Sequence, residues 1–145
     1  MKKMNISILL ITTVLLLTAN AQAKNADPNL WKSVVAEAAG EGYPGMWAVA
    51  CCVRNRYNAK MDSGLSSTHR RDLNNFVWRQ GREIERQAKE IIFLVFYKGA
   101  MDASIDTTHG AIYFESTDFP KNIRSFDRKY KRVAKIGKHI FYVNK

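Results

Sequence analysis

Asp27-Pro-Asn-Leu-Trp-Lys-Ser-Val-Val-Ala-Glu-Ala-Ala-Gly40-Glu-Gly-Tyr-Pro44 is the stretch on which the fold turns. Asp27 as N-cap and Pro28 at the first helical position predict a helix start. Leu30, Val34 and Ala38 fall on one face, with Trp31 and Val35 beside them. Gly40 is the natural stop, so the first helix is expected over about 28–39. The tight turn Gly40-Glu41-Gly42-Tyr43 follows, and Pro44 opens a second helix running to about Tyr57. Met46, Val49, Ala50 and Val53 are spaced for a buried stripe, with little polar surface before Arg54. That pattern predicts a central helix.

Downstream, residues 58–82 are polar and broken, which predicts a long loop with at most a short strand or turn at Phe76-Val77-Trp78. A third helix is expected over 82–97, with Gly99 as its stop. Its end, Ile91 to Phe96, is apolar all round and so is expected to be buried. The last third changes character. Gly110 to Glu115 and His139 to Val143 are short, β-branched and aromatic, and both read as strands. They are expected to pair, with the basic segment 120–138 looped between them. The fold class is therefore α+β: a small, mostly helical domain with a C-terminal hairpin or small sheet.

Upstream, Lys2 and Lys3 precede an apolar run over 6–18 and the small-residue box Ala21-Gln22-Ala23. This is the pattern of a secretory signal peptide, with cleavage expected after Ala23. The run is short for a transmembrane helix, so no stable membrane span is expected after cleavage. Residues 24–145 then form one domain that works in a periplasm or outside the cell. The whole chain has 145 residues and a formal net charge of +10. Nine Lys and Arg lie in 121–145 against one acid, Asp127. For an exported protein that surplus suits an anionic envelope surface, and nucleic acid is not an expected partner. Two cysteines are too few for a disulfide framework, and no His spacing suits a metal. No metal or cofactor is expected.

Glu37 is the candidate catalytic residue. It sits in the last turn of an apolar helix, where the macrodipole disfavours a negative charge. Partial burial and the nearby charge of Glu41 act in the same direction. All three favour the carboxylic acid over the carboxylate, and such an acid can protonate a glycosidic oxygen. A conventional glycosidase needs a second carboxylate, about 5–5.5 Å away for retention or about 6.5–9.5 Å away for inversion. Glu41 is the nearest candidate along the chain. A lytic transglycosylase needs no second carboxylate, because the substrate's own C6 hydroxyl attacks the anomeric carbon and one acid/base Glu serves both steps.

Ala36-Glu-Ala-Ala-Gly-Glu41, Tyr43-x-Gly45-x-x-Ala48-Val-Ala50 and Asn55-Arg56 together resemble the SleB-type cell-wall hydrolases. Gly110-Ala111-x-Tyr113-Phe114 and Ile136-Gly137-x-His139-x-Phe141-Tyr142 resemble that family's ending. Ala39 stands where the family carries Arg, and Met46-Trp47 where it carries Gln-Val. The resemblance implies a lysozyme-like fold and cleavage of the glycan strand of peptidoglycan, usually by lytic transglycosylation. It implies that Glu37 is the catalytic acid, and leaves the role of Glu41 as structural or substrate-positioning.

Several residues are expected to support that site. Asn55 and Arg56 are placed to brace the Glu37 turn. Tyr113 and Tyr142 offer aromatic rings with polar tips for a saccharide groove, and Phe114 and Phe141 are expected in the core. His139 falls in the family-like ending and is expected to make a structural hydrogen bond. Three alternatives stay open. One is a muramidase on the same scaffold. Another is a wall peptidase using Cys52 with His109 or His139. The third is a non-catalytic cationic binder of the cell wall or lipopolysaccharide. Whether a protein activator is needed is not legible in the chain.

Overall fold

The computed structural model describes residues 27–97 and 102–145. The expected signal peptide and Gly99, the expected stop of the third helix, lie outside the described residues. Helix α1 covers Leu30–Ala38, and a 3-10 turn over Ala39–Glu41 leads into α2, Gly42–Asn58. A 3-10 helix at Ser66–His69 precedes α3, Leu73–Gln80, and α4, Arg82–Tyr97. Then come β1 (Tyr113–Ser116), α5 (Pro120–Lys129), β2 (Tyr130–Ile136) and β3 (His139–Asn144). The three strands form an antiparallel sheet in the order β1-β3-β2. The α+β class expected from the sequence is the class observed.

Helix α2 is the centre of the helical part. Met46, Ala48 to Val53 and Arg54 are all buried, so it is covered on nearly every side. Helix α1 packs Leu30, Val34, Val35 and Ala38 against it, and α4 adds Ala88, Ile91 and Val95. Each fully buried Leu, Ile or Val contributes about 1.5–3 kcal/mol relative to exposure. Phe141 of the central strand joins the same core at 0% exposure, and so ties the sheet to the helices.

The structure corrects the expected elements at five places. Helix α1 starts at Leu30, because Asp27-Pro28-Asn29-Leu30 closes a turn instead: Leu30 N–H donates to the Asp27 carbonyl at 2.9 Å. The expected loop over 58–82 contains α3, and Phe76-Val77-Trp78 is helical rather than a strand. Leu73, Phe76, Val77 and Gln80 turn inward at helical spacing, Trp78 is 83% exposed, and Gly81 ends the helix at φ +89°. The end of α4 is only half covered, with Phe93 57% exposed, because α1 and α2 line one side of it.

The basic 120–138 segment is not a loop but α5 followed by β2. Pro120 occupies the first turn of α5, and Ile123 and Phe126 turn inward. In β2 a register shift between Arg132 and Ala134 breaks the alternation, so Lys131 and Arg132 both face out. An extra residue in one strand does this. Last, the first strand begins at Tyr113, since His109 and Gly110 are both left-handed, at φ +53° and +79°. The expected pairing of the two aromatic strands is observed, with Tyr113 opposite Tyr142 and Phe114 opposite Phe141.

Candidate active site

Three chain segments converge beside the C-terminus of α1. Glu37, on the last turn of α1, lines an open cleft of about 430 Å³. Strand β1 forms the facing wall with Tyr113, Phe114 and Glu115. It is an edge strand, bonded to β3 on one side only. The loop Ser63-Gly64, Ser66 and α2's Arg56 close one end, and α5 closes another with Phe119, Asn122 and Phe126.

Glu37 is half-buried. Its Oε1 accepts from the backbone N–H of Ser67 at 3.3 Å, and the Ser67 hydroxyl donates to the Ser33 carbonyl at 3.3 Å. The Ser66–His69 turn is thus pinned to α1 next to the carboxyl. Arg70 forms a pair with Asp72 at 2.7 Å, and that bond, more than any other influence, raises the arginine's pKa. The Glu37 charge acts on Arg70 in the same direction.

Arg56 holds two walls of the cleft together. Its Nη1 donates to the Ile112 carbonyl at 2.9 Å, just before β1. Its Nε donates to the Asp62 carbonyl at 2.8 Å, and Nη2 to Asp62 Oδ1 at 2.8 Å. The guanidinium also lies 5.6 Å from the Tyr113 ring centroid. Gly64 has to be small here: at φ +67°, a Cβ would sit 2.6 Å from the Arg56 Cζ. Asn55 does not line the cleft. Its Nδ2 donates to Asp106 Oδ2 at 2.8 Å and to the Ala111 carbonyl at 3.1 Å. Asn55 and Arg56 therefore brace the segment leading into β1, and not the Glu37 turn as expected.

Asp106 anchors that segment. It accepts from Thr108 N, Thr108 Oγ1 and Gly110 N as well as from Asn55. Burial works to raise its pKa, but these hydrogen bonds together outweigh burial and hold the carboxyl below the ordinary aspartate value.

Glu41 and His139 form a second acidic and basic cluster at the edge of the cleft. Glu41 Oε1 lies 2.6 Å from His139 Nδ1, with side-chain exposures of 12% and 5%. The contact does not have hydrogen-bond geometry, and Nδ1 is buried without a hydrogen-bond partner. Glu41 Oε2 accepts from the Lys138 backbone N–H at 3.0 Å. A Cβ at Gly45 or Gly137 would collide with the Glu41 side chain, so two glycines make its berth. His139 and Glu37 both line the cleft, and both also line an adjoining recess that includes Glu41.

The expected aromatic residues separate. Tyr113 lines the cleft and stacks on Tyr130 at 4.3 Å. Tyr142 is 0% exposed and packs on Phe126, with its hydroxyl 3.4 Å from Asp127 Oδ1. It lies off the cleft because it sits in the central strand. Phe141 is core, as expected, but Phe114 is half-buried and faces the cleft edge-on to His139.

Sequence reasoning passed over Glu115, a second carboxylate lining the same cleft as Glu37. Its Oε1 accepts from the Ser116 N–H at 3.0 Å. The available signal was an acid near the end of an aromatic strand, two residues from Tyr113 and so on the same face.

Cys51 and Cys52 are both free thiols at 0% exposure. Burial raises both pKa values, that of Cys51 to about 12. His109 is exposed on its turn and His139 faces Glu41. No His, Cys, Asp or Glu group among the described residues could hold a metal ion. No described helix is long and apolar enough to cross a membrane. Lys121, Arg124 and Arg128 are exposed on the face of α5 opposite Asn122 and Phe126, so the positive charge lies outside the cleft wall.

No protein-family model, curated protein or solved structure matches the chain.

Proposed function

We propose that this chain cleaves the glycan strand of peptidoglycan by lytic transglycosylation, with Glu37 as its single acid and base. The observation that carries this reading is the setting of Glu37. It stands on the last turn of an apolar helix, half-buried, on the wall of an open cleft faced by an edge strand. Glu37 protonates the glycosidic oxygen as the C1–O bond breaks, and its carboxylate then takes the proton from the C6 hydroxyl of the same sugar as that oxygen closes on C1. General acid catalysis of this kind is worth about 10²–10⁴ in rate. The motif resemblance supports peptidoglycan as the polymer. The signal-like N-terminus supports a periplasmic or extracellular site of action, and the exposed cations of α5 and β2 support attachment to the anionic envelope.

Muramidase-type hydrolysis is the second reading, and Glu115 is the observation that favours it. A second carboxylate in the cleft of the acid is what stabilises or traps a glycosyl cation for attack by water. The buried, un-ionised thiols weigh against the cysteine peptidase.

The deciding experiment is mass spectrometry of soluble fragments from purified peptidoglycan incubated with the protein. Anhydro-muropeptides support transglycosylation, and reducing muropeptides support hydrolysis. Glu37→Gln is expected to fold normally and release neither. Wild-type turnover by Glu37→Gln refutes the assignment of the acid. Salt-sensitive binding without fragments supports the cationic wall binder instead.

A further inference from the structure

Resting on the glycan-cleavage reading, we infer that the glycan strand runs past Glu37 into the adjoining recess and stacks a sugar ring on Phe119. Cuts then fall inside strands rather than at their ends. Glu37, Ser116, Phe119 and His139 line both the cleft and the recess, which measure about 430 and 370 Å³. The acid therefore stands where two hollows join, not at the closed end of one. A third hollow, of about 580 Å³, shares Ser63, Gly64 and Ser66 with the cleft and no residue with the recess. An enzyme that trims strand ends needs a wall just past its acid. Here the surface past Glu37 is a recess.

The recess has the chemistry of a sugar site. Three of its lining residues, Ala36, Ala38 and Gly40, carry a methyl group or less, which leaves room for a ring. Its polar groups come from the end of β1 and the turn before β3. The Ser116 hydroxyl accepts from the Asp118 N–H at 3.2 Å, and Lys138 Nζ lies 3.4 Å from Asp118 Oδ2. Both side chains of that pair are more than half exposed, so they remain open to sugar hydroxyls. A few polar groups beside an apolar surface orient a bound ligand.

Phe119 supplies the apolar surface. It is 58% exposed, although a phenyl ring left in water forgoes the stabilisation that burial gives. Its backbone is held on both sides. The N–H donates to the Ser116 carbonyl at 3.1 Å, and the carbonyl accepts from the N–H groups of Asn122 and Ile123 at 3.0 and 3.1 Å. Pro120 fixes the next φ. The ring thus stands on a fixed support where cleft and recess meet. Trp78 and Phe93 are also exposed, but neither lines a cavity with Glu37. The C–H face of a pyranose laid on Phe119 recovers the lost burial.

The test is the length of the strands that remain early in a digestion of purified peptidoglycan. Stem peptides are removed from the residual wall, and the freed strands are sized by chromatography. Mean strand length is expected to fall severalfold while only a small fraction of the wall is soluble. Release of disaccharide units alone, with the remaining strands near their starting length, overturns the inference and leaves the glycan-cleavage reading standing. Phe119→Ala is expected to raise KM by about 2–10-fold with kcat little changed, and Phe119→Tyr to keep the wild-type KM. A folded Phe119→Ala with the wild-type KM also overturns the inference. Strand lengths from the wild type decide the matter if Phe119→Ala does not fold. A wild type that releases no glycan fragments overturns both readings.

Discussion

Arg56→Lys tests whether one guanidinium holds the cleft open. Arginine reaches the Ile112 carbonyl, the Asp62 carbonyl and Asp62 Oδ1 at once, from three nitrogens in a rigid fork. Lysine has a single nitrogen and cannot span them. The Asp62 carboxylate is exposed, so losing that pair changes stability little. The Ile112 carbonyl is partly buried, and leaving it without its donor costs about 1–3 kcal/mol. For a domain of this size that corresponds to a Tm lower by roughly 4–12 °C, at about 4 °C per kcal/mol. The assay is thermal unfolding followed by circular dichroism, paired with Gly64→Ala and the double variant. Gly64→Ala pushes a Cβ into the guanidinium, so the two changes share one contact. The double variant is therefore expected to lose less than the sum. A Tm for Arg56→Lys within about 1 °C of wild type refutes the clamp, and strict additivity refutes the Gly64 contact.

Two further outcomes follow from buried groups. The Asp106 carboxyl is held below its ordinary value in the folded state, so its contribution is present above the unfolded pKa of about 3.9 and is lost as pH falls through the folded value. Urea midpoints are expected to drop on acidification below about pH 4. Asp106→Asn should flatten that fall while lowering the midpoint at pH 7, and an unchanged acid dependence refutes the role given to its hydrogen bonds. Cys51 and Cys52 are expected to resist a thiol reagent at pH 8 in the folded protein and to react after urea unfolding, because burial raises both pKa values. Rapid labelling of the native protein refutes that, and release of free peptides from intact glycan strands that is lost in Cys52→Ala reopens the peptidase reading.

What the chain determines by itself is local and periodic. Helix α2 follows from its apolar stripe, although it starts at Gly42 and not at Pro44, α4 from a charged start and an apolar end, and the β1–β3 pair from aromatic, β-branched runs. Glu37 stands out because its helix ends two residues before Gly40, a relation contained within a few residues. The signals that failed were those a local irregularity disguises. The bulge in β2 removed its alternation, and dense charge hid the inward face of α5. Tertiary structure alone decided which acid meets which base. Glu41 reaches a histidine 98 positions away, Arg56 reaches Ile112, and Glu115 comes to face Glu37's cleft. None of these contacts has a periodic trace in sequence, because each depends on how the sheet docks against α1 and α2. Tyr142 shows the converse. Its sequence neighbourhood matches that of Tyr113, yet the order β1-β3-β2 places it in the central strand and buries it, while Tyr113, on the edge strand, meets the cleft.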